Sequence, residues 1–179
     1  MFGLFRRGFT VDEDYMPVFV GAFNAVKAHA AYDYTDDFEA ISDQMVSESP
    51  KIRGQEVLDR AAELLVQRET PLKLMRDAKA QLQRRKPKDR RFSTSLHRRM
   101  IRLIDWQERE LMSILLLMGQ DPTSRTKEGG QAYDEASRYS HAMSERVDHW
   151  GRKIEEELVS INERFPELRP HLAPIFEAV

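Results

Sequence analysis

Residues 131–164, QAYDEASRYSHAMSERVDHWGRKIEEELVSINER, decide the fold class. Ala132, Ala136, Tyr139, Met143, Val147, Trp150, Ile154, Leu158 and Ile161 recur every three or four positions. That is the repeat of one face of an α-helix, not the period of two of a half-buried strand. Upstream, GQDPTSRTKEGG at 119–130 is a loop by composition. It separates this helix from an earlier stripe of Leu96, Met100, Ile104, Leu111, Leu115 and Met118, with Ser93, Thr94 and Ser95 as candidate N-caps. A further stripe, Ile52, Leu58, Ala61, Leu65, Leu72, Met75 and Leu82, opens at Ser49-Pro50 and is interrupted by Thr70-Pro71. Proline lacks a donor and biases its predecessor away from the helical region, so this second helix is expected to kink there. The first stripe runs through Tyr15/Met16, Phe19, Phe23, Val26, Ala30, Tyr34, Phe38, Ile41 and Met45, which predicts one helix to about Ser47 with Asp12, Glu13 and Asp14 at its start.

Four long amphipathic segments with short connections predict an all-α protein, an antiparallel up-down-up-down four-helix bundle, with the second helix kinked at Thr70-Pro71. The expected organisation is an apolar and basic arm at 1–10, the bundle at 11–164 and a Pro-rich tail at 165–179 packing on the bundle end. Pro166, Pro170 and Pro174 are too many for one helix, so short turns are expected in that tail. A chain of 179 residues suits one domain. It has no Cys, which excludes disulfides and thiolate metal sites. Its longest apolar run, Ile114 to Met118, is far short of a membrane span, and no secretory signal is evident at the N-terminus. The expected location is the cytoplasm, or its membrane periphery.

Charge is distributed unevenly. Residues 73–102 hold twelve Lys or Arg against Asp77 and Asp89, while the rest of the chain holds 16 bases and 28 acids. A net charge of −2 therefore hides a strong dipole, a property that bears on partners more than on fold. The candidate partner-binding residues are Arg84, Arg85, Lys86, Lys88, Arg90 and Arg91 at the second-to-third helix turn and Arg98 and Arg99 just beyond it. The bundle topology would bring Phe2, Phe5, Arg6 and Arg7 to the same end. An anionic membrane would use these cations together with the Phe-rich arm. An acidic protein surface would use the cations alone. Nucleic acid would be bound through phosphates and without base reading, since no finger, helix-turn-helix or stacking platform is present. Pairing of the basic turn with the acid-rich first helix is the intramolecular alternative.

Chemistry-bearing constellations are weaker. His141, Glu145 and His149 share a helical face, but one turned from the core, and His29 with Asp33 flanks the first stripe. Glu108 falls within the third stripe and needs a buried partner, for which Arg68 is in phase. Asp36-x-x-Glu39 followed by Glu56-x-x-Asp59 resembles the paired acidic motifs of the all-α nucleoside-triphosphate pyrophosphohydrolases. That resemblance implies Mg²⁺-assisted attack of water on a phosphate ester, although Asp36 stands where those motifs carry Glu. There is no phosphate loop, nucleophile elbow or HExxH. The expectation is a non-enzymatic interaction, adaptor or assembly protein with no metal and no cofactor. The apolar end of the third helix, LMSILLLM, predicts a homo-oligomer, a dimer first.

Overall fold

Pro17 occupies the first turn of α1 (Met16–Ala30), where a missing N–H costs nothing. Asp12 closes the turn before it, its carbonyl accepting from Tyr15 and Met16 N–H at 3.0 Å. Phe19, Ala22, Phe23, Val26 and His29 form the buried face of α1. The computed structural model describes residues 12–48, 55–88, 94–119 and 127–176. Among them the chain is all-helical, in seven α-helices where four were expected. No helix among the described residues is long and apolar enough to cross a membrane.

The expected first helix is two. After α1 the chain breaks at residues 31–34, and α2 (Thr35–Glu48) begins anew. Asp33 causes the break: its Oδ1 accepts the Thr35 N–H at 2.9 Å and the Thr35 hydroxyl at 2.7 Å, a turn that competes with continued helix. Tyr34 is thereby turned inward and buried, and Phe38, Ile41 and Met45 follow it into the core.

The expected kink is likewise a full break. α3 (Gln55–Gln67) stops, Glu69 takes φ 57°, Thr70 is extended, and Pro71 opens α4 (Pro71–Arg84). A residue before proline avoids the helical region, so the chain reverses through the left-handed conformation one residue earlier. The buried Thr70 hydroxyl donates to the Leu65 carbonyl at 2.9 Å, tying the two helix ends together. The Ser49-Pro50 start signal lies outside the described residues.

α5 (Thr94–Met118) buries Leu96, Met100, Leu103, Ile104 and Leu111. Arg76 pairs with Glu108, and Lys79 with Asp105, so α4 and α5 run antiparallel. α6 (Lys127–Arg164) is antiparallel to α5, as Arg99–Glu157 and Glu110–Ser144 show. It starts four residues before the expected Gln131, taking Gly129 and Gly130 into its first turn. At 38 residues it is about 57 Å long. The register puts Met118 level with the turn at Ala136, so the first turns of α6 pass beyond the end of α5. This is why Ala132, on the expected stripe, is exposed; Tyr139, also on that stripe, is exposed although it lies level with the last turn of α5.

The tail turns through a 3-10 segment, Pro166–Leu168, into α7 (Arg169–Phe176), which takes Pro174 inside a single short helix instead of the expected run of turns. Leu168, Leu172 and Ile175 are buried. The Ile175 carbonyl accepts from Lys27 Nζ at 3.2 Å, so α7 lies along α1 and ends beside its C-terminal half.

Candidate anion-binding groove

Helical spacing on α5 places Leu96, Met100 and Leu103 inward and leaves Ser95, Arg98, Arg99 and Arg102 on one outer face, at i, i+3, i+4 and i+7. The antiparallel α6 sets His149, Trp150 and Lys153 opposite them. Together these seven residues line an open groove of about 420 Å³. Its walls are fixed by short-range contacts. Arg99 pairs with Glu157 at 2.7 Å and Lys153 with Glu156 at 2.8 Å. The Arg102 guanidinium stands 5.6 Å over the Trp150 ring, and the His149 ring lies nearly perpendicular to that ring, at 84° and 5.5 Å between centres. The Lys153 hydrogen bond and charge hold the Glu156 carboxyl below its ordinary range. No carboxylate among the described residues pairs with Arg98 or Arg102.

Four cations of the basic turn fall among the described residues. Arg84, at the end of α4, and Arg85, Lys86 and Lys88, just past it, are all exposed. Two of these residues are already tied to the entry of α1. Arg85 Nη1 donates to the Asp14 carbonyl at 2.8 Å, and the Lys88 N–H to Asp12 Oδ2 at 3.0 Å. The acids read as a helix first turn thus lie just before α1 and in part receive the basic segment. Underneath, the Tyr15 hydroxyl meets His97 Nδ1 at 3.0 Å, and burial, with Arg98 and Lys86 nearby, lowers the affinity of His97 for a proton. Arg98 and Arg99 lie in the groove, whereas Arg90, Arg91, Phe2, Phe5, Arg6 and Arg7 lie outside the described residues.

Sequence reasoning missed Arg102, His149, Trp150 and Lys153 as site residues. Trp150 was placed on the core stripe of α6, and it is half-buried because it forms the groove wall. His149 belonged to a solvent-facing trio, yet only His141 and Glu145 meet, at 3.4 Å.

The other constellations resolve into structural roles. Glu108 takes two hydrogen bonds from Arg76, one from Nε at 3.0 Å, and not one from Arg68, whose guanidinium is 3.9 Å from Asp37. His29 is buried, with Nδ1 2.6 Å from the Tyr34 hydroxyl and the Gln107 carbonyl as a second partner. Burial pushes its pKa down to about 4, against smaller opposing effects of the Gln107 carbonyl and Glu108. Asp36 and Glu39 on α2, and Glu56 and Asp59 on α3, are all exposed. No three His, Asp or Glu among the described residues converge as a metal site would need.

No family model, curated protein or solved structure matches the chain. The groove is therefore interpreted from its own chemistry: a concave, surplus-positive surface with one aromatic wall, suited to hold an anion. The aromatic face is covered by Arg102, so a nucleobase could stack there only if that guanidinium moved aside.

Proposed function

We propose that the protein is a non-enzymatic helical interaction or assembly protein that docks an anionic partner, an acidic protein surface or an anionic membrane, through its basic end. In this reading α1, α4, α5 and α6 act as the bundle core, and α2, α3 and α7 pack around it. The observation that carries the reading is the gathering of cations of one sign at the start of α5: Arg84, Lys86, Arg98, Arg99, Arg102 and Lys153, five of them exposed and Arg99 half-buried. Such a surface repels itself and gains most when a polyanion covers it. Replacing Arg84, Arg85, Arg90 and Arg91 together by Ala weakens retention on anionic vesicles or on an acidic polypeptide by at least about tenfold, read by co-sedimentation and pull-down. Equal retention of both proteins removes the reading.

Non-specific binding to nucleic-acid backbone is the alternative, and it predicts affinity for unrelated sequences with a steep salt dependence. Trp150 inside a cationic groove is the feature that favours it.

The second surface we assign to a second copy of the chain. Ile114 and Met118 near the end of α5 and Tyr139 on α6 are 37%, 53% and 46% exposed. Large apolar side chains gathered on adjoining helices gain from mutual burial, and a two-fold pairing satisfies both copies with one patch. Ile114→Asp with Met118→Asp converts a dimer to a monomer in sedimentation velocity; a wild type that sediments as a monomer at every concentration overturns this.

A further inference from the structure

We propose that the groove between α5 and α6 is a binding site for a phosphomonoester group, with Arg98, Arg102 and Lys153 as its principal ligands and Ser95 as a hydroxyl donor. Three observations converge on this chemistry. The first is charge. Four fixed cations, Arg98, Arg99, Arg102 and Lys153, face two carboxylates, Glu156 and Glu157, leaving a surplus of two. A dianion matches that surplus, and a lone carboxylate leaves half of it uncompensated.

The second is donor geometry. Arg98 and Arg102 are one helical turn apart, with Ser95 a turn before, so two guanidinium forks and a hydroxyl converge from one wall while Lys153 faces them from the other. Planar forks direct paired N–H groups at neighbouring oxygens, and the three terminal oxygens of a phosphomonoester accept more of them than a carboxylate can. Ser95 also sits in the first turn of α5, where the helix presents its positive end. The third is preorganisation. Glu157 and Glu156 hold Arg99 and Lys153 in place, and Trp150 supports Arg102, so these cations are positioned before a ligand arrives. Arg98 has no partner among the described residues and is the cation left to close on the anion.

A volume of about 420 Å³ accepts the phosphate and the ester-bearing body of a small molecule, within the range of small-ligand sites. The same group is carried by a soluble sugar phosphate or by the headgroup of a monoester phospholipid. The groove shares Arg98, Arg99, Arg102 and Lys153 with the wider docking surface but not the turn itself. It uses none of Arg84, Arg85, Arg90 and Arg91, so the two ideas fail separately.

Isothermal titration of the full chain with glucose 6-phosphate, and with glucose at equal ionic strength, tests the site. Saturable binding of the phosphate ester alone is expected, weakened at least about tenfold in Arg98→Gln and in Lys153→Gln, each checked for unchanged helical circular dichroism. Loss of Arg84, Arg85, Arg90 and Arg91 changes the groove affinity by no more than about threefold, because exposed charges act there only through screened solvent. Vesicles containing phosphatidic acid, set against vesicles of equal charge made with phosphatidylglycerol, separate the sources. Preference for phosphatidic acid that glucose 6-phosphate competes away assigns the lipid headgroup, and saturable binding of the ester without that preference assigns a soluble ligand. Absence of saturable binding in both arms, or an Arg98→Gln protein that binds as the wild type does, overturns the proposal.

Discussion

Lowering the pH from 7 to 4 removes about 3 kcal/mol of folding stability at His29 alone. The side chain is 7% exposed and is held at a pKa of about 4, against an ordinary value of 6.5. The cause is burial: the imidazolium would have to give up its hydration among α1, Tyr34 and the Gln107 turn of α5. The sign follows from proton counting. Below pH 6.5 the unfolded chain takes up a proton at this position and the folded chain refuses it until about pH 4. Stability therefore falls as pH falls through that window, and above pH 6.5 the term is flat. His97 is shifted in the same direction and adds to the loss. Urea unfolding at pH 7, 5.5 and 4 measures it, and His29→Leu isolates it. The difference between wild type and variant changes by about 3 kcal/mol across the window, because groups distant from His29 contribute equally to both proteins. A pH-independent difference shows that His29 is not buried in its neutral form.

Phe19→Ala costs about 4 kcal/mol. Phe19 is wholly inaccessible, with the Tyr15 ring 6.0 Å away, and its loss leaves a cavity that the surrounding helices can only partly close. Phe19→Leu, which keeps most of the volume, costs about 1 kcal/mol. The expected signature is a lowered urea midpoint with an unchanged slope. Equal, small effects of both substitutions would mean that α1 does not pack against the core at this point.

Phe19 also shows what could be read in advance. Periodicity placed Phe19, Phe23, Val26, Tyr34, Phe38, Ile41 and Met45 correctly in the core, because burial needs only spacing on a local helix face. It did not register the break at residues 31–34. The apolar spacing continues across that break, and the decisive signal was polar: Asp33 two residues before Thr35, followed by Asp36 and Asp37 in a new first turn. Glu69 escaped for a different reason. Its left-handed conformation is imposed by Thr70 and Pro71 after it and has no mark of its own in the chain.

The site was legible by halves. Arg98 and Arg99 stood out because a run of one sign is a local property. Trp150, His149 and Lys153 joined them only through the α5–α6 register, which long-range pairs such as Arg99–Glu157 set and spacing within one helix cannot reveal. Asp12 shows the same limit. It was expected in the first turn of the helix and lies just before α1, and its second role, receiving the Lys88 N–H, depends on α4 returning to that end. Glu108 needed a partner by its phase, and Arg76 rather than Arg68 supplies it because α4, not the end of α3, crosses α5 there.

Docking of an anionic partner at the basic end is tested most directly by retention of the full chain on immobilised polyglutamate and on anionic vesicles, with neutral vesicles as the reference. The predicted result is retention of the wild type on at least one anionic surface, release by salt, and loss when Arg84, Arg85, Arg90 and Arg91 are replaced by Ala. A wild type that passes both surfaces, or a variant retained as strongly as the wild type, contradicts it.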